Sequence, residues 1–376
     1  MSDAIPTVTI PQELLPSDFR FGCGPSAVRT EFVQDLAGIS GSLLGTSHRR
    51  PAVKAWVGRV RSGLAQFFDL PEGYKIGLGN GGASLAWDMA NLGLFERTSC
   101  HFTCGEFSKK WYSWAKMVPW LAPREVASDF GTLPDFQAME GADAYCYTNC
   151  ETSTGVGIPK LSRFDSDSLV CCDATSAAGG FLFDWEQIDY LFFSPQKCFG
   201  SEGGFTIFIL SPKALERHQK IAADSSRYIP TLMNIGEALA NSEKDQTYNT
   251  PSITTIYLMA RQLEWMNEQG GMRHWADVAR QKADYLYGWA EASPFVTPYV
   301  KDSALRSPTV ATLDFVEEVS ADDLCKIART NGILDIEAYR KLGRNQIRVA
   351  MFPNVSLDNL KRLTSSLEYI VQQLIG

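Results

Sequence analysis

At 376 residues, with 45% apolar and 21% charged side chains, the chain can bury a sizeable core or two, which excludes a disordered or fibrous protein. A formal charge of −8 excludes general binding to nucleic acid or to an anionic membrane, so an anionic ligand would need basic groups gathered against the overall field. No uncharged apolar run approaches the ~20 residues of a membrane span, and the first twenty residues lack the features of a signal or transit peptide, which points to a cytoplasmic protein.

Residues 1–20 read as an irregular N-terminal arm. Phe21-Gly22-Cys23-Gly24-Pro25-Ser26 is a glycine-rich turn ahead of a helix from about residue 29. Gly45-Thr46-Ser47-His48-Arg49-Arg50-Pro51 is a cationic loop between breakers. It is either a solvated charge run or an anion-binding loop. A helix over about 53–68 carries Val53, Val57, Val60, Leu64 and Phe67/Phe68 at helical spacing.

Tyr74–Leu78 predicts a short strand. Gly79-Asn80-Gly81-Gly82-Ala83-Ser84 and a helix to about Leu94 follow. Strand, glycine turn and helix start form a phosphate cradle, because first-turn N–H groups are unpaired and the helix dipole favours an anion. The run fits neither the G-x-G-x-x-G nor the Walker pattern, and a tight turn alone would also explain it.

Further strands are predicted at Cys100–Thr103, Ala144–Tyr147, Ser168–Cys172 and Tyr190–Ser194, and another at Phe205–Leu210. Phe107, just past the first of these, is either core or the cover of a planar ring. Asn149, Asp173 and Lys197 lie at or just past strand carboxyl ends, where open α/β sheets bind ligands. Lys197 follows Pro195, which stops regular pairing, and is followed by Gly200, Gly203 and Gly204. Alone, it is an ordinary loop lysine. With Asp173 before it and a glycine cradle upstream, it makes the set that pyridoxal phosphate needs: a lysine for a Schiff base, a carboxylate for the ring nitrogen, an anion cradle and an aromatic cover.

Ser211-Pro212 and Thr247–Pro251 mark helix starts, the second opening an apolar-periodic helix that Gly270-Gly271 ends. The last 75 or so residues alternate strand and helix: Val310–Phe315, a helix started by Ser320, Ile347–Phe352, and a helix capped by Ser356. This predicts a large domain over 21–270 and a small α+β domain over 271–376. The nine cysteines form no C-x-x-C pair and read as reduced thiols. The four histidines are too scattered for a metal site.

Taken together, Ser47-His48-Arg49, Gly81-Gly82-Ala83, Glu151-Thr152, Asp173-Ala174-Thr175-Ser176, Gln196-Lys197, Tyr248-Asn249-Thr250-Pro251 and Lys341–Ala350 resemble the phosphoserine aminotransferases. These belong to the class V branch of the fold-type I pyridoxal-phosphate enzymes, and the wording is nearest an actinobacterial-type branch. The resemblance runs from Phe21 to Arg348. It implies an α/β fold: a large, mostly parallel mixed sheet flanked by helices, plus a smaller C-terminal α+β domain. It implies a homodimer with shared active sites and small anionic amino-acid and keto-acid substrates. The implied reaction moves an amino group between L-glutamate and 3-phosphohydroxypyruvate, giving O-phospho-L-serine and 2-oxoglutarate, in serine biosynthesis, with pyridoxine biosynthesis as a second role open to the family.

By position, the resemblance gives Lys197 the covalent bond to pyridoxal 5′-phosphate and the proton shuttle, and Asp173 the pyridine nitrogen. Thr152 takes the ring hydroxyl side and Phe107 the ring face. Ala83, Ser84, Ser176 and Gln196 take the cofactor phosphate, with Asn249 and Thr250 reaching it from the other subunit. Arg348 takes the substrate α-carboxylate; His48, Arg49 and Arg340 take the far end. Three positions depart from the family pattern: Ser84 where some relatives have arginine, Tyr339 where some have histidine, and Cys150 where asparagine is common. The rivals are an alanine–glyoxylate or serine–glyoxylate aminotransferase, a cysteine desulfurase, for which no loop cysteine suits, and a non-catalytic binder of the cofactor.

Overall fold

The computed structural model describes residues 7–158 and 161–375, so the first six residues of the predicted arm lie outside it. Among the described residues there are twelve strands: β1 Lys75–Asn80, β2 Ser99–Thr103, β3 Arg124–Ala127, β4 Ala144–Thr148, β5 Cys150–Glu151, β6 Val156–Gly157, β7 Leu169–Asp173, β8 Tyr190–Phe193, β9 Phe205–Leu210, β10 Val296–Pro298, β11 Val310–Phe315 and β12 Gln346–Ala350. The helices are α1 Thr30–Leu43, α2 Pro51–Phe68, α3 Ala83–Gly93, α4 Glu106–Ala115, α5 Pro212–Ala222, α6 Ile235–Ser242, α7 Ile253–Glu268, α8 Gly271–Ala292, α9 Ala321–Thr330 and α10 Leu357–Ile375.

Seven strands form one sheet in the order β1-β9-β8-β7-β4-β2-β3. Neighbours from β8 to β3 are parallel; only β9 runs against the rest. Its central strands are buried on both faces, which is why they read as continuous apolar runs. Alternation then sends successive residues to opposite layers. Cys172, Leu191, Phe193, Ile207 and Ile209 meet α2 and α7 on one face. Cys171, Tyr190, Phe192, Phe208 and Leu210 meet α3, α5 and α6 on the other.

Helix α2 shows how sequence sets these contacts. Pro51 starts it, where a missing N–H costs nothing, and Val53, Val57, Val60, Leu64, Phe67 and Phe68 form its buried stripe. Asp69 ends it in the left-handed region, φ 46°. Each such side chain contributes about 1.5–3 kcal/mol on burial.

A second sheet, β10-β11-β12, is antiparallel and packs with α9 and α10 around its own core. Helix α8 joins the two: Trp275 near its start belongs to the large core, whereas Leu286, Tyr287 and Ala290 belong to the small one. Among the described residues no helix is long and apolar enough to cross a membrane. All nine cysteines are free and buried.

Candidate active site

The strand register brings the chemistry to one edge. Thr148, the last residue of β4, pairs with Asp173, the last of β7, and Asp173 pairs with Phe192 near the end of β8. Asn80 ends β1 opposite Phe205, the first residue of β9, and α3 starts three residues later. The result is a cavity of about 310 Å³ at the carboxyl edge of the sheet, lined among others by Gly82, Ala83, Ser84, Phe107, Thr152, Asp173, Ser176, Gln196 and Lys197.

Lys197 stands between two walls. Its Nζ donates to the Cys23 carbonyl. Gly24, at φ +135°, leaves room for that approach: a Cβ there would stand 2.0 Å from Nζ. Burial pulls the ammonium below its ordinary value, and nearby Arg348 pushes the same way. Asp173 is 3% exposed. Its Oδ1 accepts from the Thr175 N–H at 2.9 Å and the Thr175 hydroxyl at 2.5 Å; its Oδ2 accepts from the Trp87 indole at 2.9 Å. Burial pushes the carboxyl above the usual range, and the Thr175 and Trp87 donors oppose that push.

Thr152 Oγ1 and Ser176 Oγ are 2.5 Å apart. Glu151 is fully buried at the start of α4, where its carboxylate accepts from the Phe107 N–H at 3.2 Å, the Ser108 N–H at 2.9 Å and the Ser108 hydroxyl at 2.9 Å. An anion belongs at a helix N-terminus. A Cβ on Gly105 would lie 2.3 Å from Glu151 Cγ, so only glycine lets the carboxylate reach these donors. Glu151 thereby fixes Phe107, whose ring meets Tyr339 at 5.7 Å between centroids.

A larger cavity of about 920 Å³ adjoins at Cys23 and Gly24 and is lined by Tyr339, Arg340, Arg344 and Arg348. Arg348 is half-buried, stacks over Tyr339 at 5.4 Å and donates to the Thr152 carbonyl at 3.3 Å. Arg340 is exposed at the rim. His48, Arg49, Asn249 and Thr250 line neither cavity. They gather elsewhere on the surface: Thr250 Oγ1 is 3.1 Å from His48 Nδ1, and Asn249 N–H donates to Asn80 Oδ1 at 3.1 Å.

Asn149 does not join the site. It lies past the end of β4, but its side chain donates to the Ile158 carbonyl and faces another cavity, and the preceding Thr148 lines this one. Cys150 sits within a hydroxyl network, 3.0 Å from Ser307 Oγ and 3.5 Å from Thr309 Oγ1, and burial pushes its thiol up to about 11. Sequence reasoning gave no role to Trp87, Thr175, Glu151 or Lys110, all of which shape or line this site. Trp87 carries the one readable signal, lying one helical turn beyond Ala83 on α3.

Residues 137–337 match the family model described as aminotransferase class-V. Over 378 aligned residues, covering all of both chains, the sequence is 47% identical to a phosphoserine aminotransferase of Nocardioides sp.. The chain belongs to the phosphoserine aminotransferase family. The phosphoserine aminotransferase of Corynebacterium glutamicum is also 47% identical, with 96% of this chain and 97% of that one covered. A phosphoserine aminotransferase crystal structure from Cytophaga hutchinsonii superimposes with a TM-score of 0.86 at 25% identity, over 94% of this chain and 99% of that one. The family accounts for the mostly parallel sheet.

Proposed function

We propose that the chain transfers an amino group between L-glutamate and 3-phosphohydroxypyruvate, forming O-phospho-L-serine and 2-oxoglutarate, with pyridoxal 5′-phosphate in the 310 Å³ cavity. The observation that carries this reading is a buried Asp173 and a buried-edge Lys197 lining one cavity with an open helix start. The donor set fits the cofactor. Thr148 Oγ1 and Gln196 Oε1 are buried there without partners, and the space before Gly82 is empty to 4 Å from a Cβ. Such orphaned groups ask for a polar ligand.

Bound there, pyridoxal phosphate supplies the electron sink for negative charge developing at the substrate Cα. The first turn of α3, with Ala83 and Ser84, and Ser176 and Gln196 hold its phosphate. Asp173 holds its ring nitrogen by a charge-assisted hydrogen bond. Thr152 takes the ring hydroxyl side and Phe107 covers the ring. Lys197 would carry the cofactor, and its free amine would move the proton at the substrate Cα. The depressed ammonium supports that role, since a base must be neutral to accept a proton.

Arg348 binds the α-carboxylate, and Arg340 receives the far end. His48 and Arg49, with Asn249 and Thr250, serve the partner subunit's site in a homodimer; that they line neither cavity of their own chain supports this. We divide the chain into a cofactor-binding part over 21–270 and a small part over 271–376 that presents Arg340 and Arg348, in a cytoplasmic enzyme. A coupled assay with phosphoserine, alanine and serine as donors to 2-oxoglutarate tests the reading. Phosphoserine should be preferred at least tenfold; equal rates with alanine would overturn it.

A further inference from the structure

We propose that Trp87 is a positioning residue for Asp173, fixing its carboxylate through the indole N–H so that α3 sets both ends of the cofactor. The proposal rests on the reading of Asp173 given above. Three observations carry it. The Trp87 indole donates to Oδ2 at 2.9 Å, while both Thr175 donors go to Oδ1. Trp87 is 4% exposed and its ring lines the cavity. The ring is itself locked, edge-on against Trp114 at 5.2 Å and 83°.

The placement along α3 matters. Gly82, Ala83 and Ser84 form the helix start that lines the phosphate end of the cavity, and Trp87 sits one turn further, about 6 Å along the axis. A single rigid helix therefore sets the spacing between the phosphate cradle and the carboxylate. The same N–H counters the cost of burying a carboxylate that has no cationic side chain as partner among the described residues. Without it, Oδ2 keeps no donor among the described residues, the carboxylate can turn about its Cβ–Cγ bond, and its proton affinity rises.

The test is a double-mutant cycle with Trp87→Phe and Asp173→Asn, read by titrating pyridoxal phosphate into apo-protein and by steady-state kinetics. Trp87→Phe should raise the Kd for pyridoxal phosphate and lower kcat by about tenfold each, the lower end of what a hydrogen bond to a charged group contributes, with KM for phosphoserine nearly unchanged. In the Asp173→Asn background the same change should add less than twofold, because the partner it acts through is gone. Equal effects in both backgrounds would make the ring a filler and overturn the proposal. Wild-type behaviour of Trp87→Phe beside an impaired Asp173→Asn would overturn it and leave the reading of Asp173 intact. Wild-type behaviour of Asp173→Asn would remove that reading itself. If Trp87→Phe does not fold, β-(3-benzothienyl)alanine at position 87 keeps the bicyclic ring, lacks the N–H, and must give the same pattern.

Discussion

Two arginines on one cavity are assigned different ends of the substrate, and that division can be broken separately at each. Arg348 is half-buried, with its guanidinium over Tyr339 and only two long bonds, to the Thr152 carbonyl at 3.3 Å and the Glu337 carbonyl at 3.4 Å. Arg340 is exposed and has no hydrogen-bond or carboxylate partner among the described residues. Removing either therefore sacrifices little folding energy, and the loss should appear in kinetics. One hydrogen-bonding partner of a charged group is worth about 1.5–3 kcal/mol, which is roughly 10- to 150-fold in kcat/KM.

Arg348→Ala should lower kcat/KM by that factor for phosphoserine and for the poor substrate alanine alike, since both carry the α-carboxylate. Arg340→Ala should lower it for phosphoserine and leave alanine within about twofold, because alanine has no charged far end. The assay is initial-rate kinetics with each donor and 2-oxoglutarate, beside melting curves that establish the fold is intact. If Arg340→Ala harms alanine as much as phosphoserine, the arginine is structural or holds the α-carboxylate, and the assignment fails.

Borohydride added to the cofactor-loaded protein should fix the cofactor on the peptide containing Lys197; a label on any other lysine would remove its role. Mixing inactive Lys197→Ala protein with an inactive Asn249→Asp, Thr250→Asp protein should restore activity through one intact hybrid site. No recovery after verified subunit exchange would count against shared sites. Lys282 is buried with Nζ donating to the Phe352 and Val355 carbonyls at 2.8 and 3.1 Å, and burial pulls its ammonium down to about 7. Unfolded, a lysine keeps its proton to about pH 10.4, so from about pH 7 upward the unfolded chain binds more protons and stability should rise with pH. Lys282→Met should lose that rise between pH 7 and 9 in denaturant titrations; a curve parallel to wild type would refute it.

The sheet was legible because buried strands are apolar runs and glycine turns separate them from helices. Lys197, Asp173 and the α3 start were legible for the same reason, as they lie where those runs stop. Helix α4 was not, since Glu106–Ala115 mixes charged and aromatic residues and its N-terminus is held by Glu151, 43 positions from Ser108. Strand β3 is short, mostly exposed and charged at both ends of its first pair, which erases the alternating signal of an inner strand. Trp87 lay in a helix stripe that apolar spacing alone explains; what sets it apart is a partner 86 positions away. Asn149 misled because a strand end fixes where a residue lies and not which way its side chain turns.

The charge at the site makes a last test. The chain is acidic, yet Arg49, Lys110, Arg340 and Arg348 have no carboxylate partner among the described residues, while arginines such as Arg20, Arg59, Arg163 and Arg329 do. Lys110, Arg340 and Arg348 line the two adjoining cavities, and Arg49 serves the other subunit's site in the proposed homodimer, so an anion held among such unpaired cations should stabilise the fold by mass action. 3-Phosphoglycerate carries the same two anionic ends as the substrate and has no amine to react. At 100 times its Kd it should add about 2.7 kcal/mol. For 376 residues, at about 2.1 cal/mol/K each, that raises Tm by about 3 °C. Glycerate, which lacks the phosphate, should give less than 1 °C at the same concentration. Replacing Arg49, Arg340 and Arg348 together by alanine should abolish the difference between the two ligands. A triple variant that keeps the full 3-phosphoglycerate shift would mean that the anion binds elsewhere, and that these arginines are not what gathers phosphate to an otherwise acidic chain.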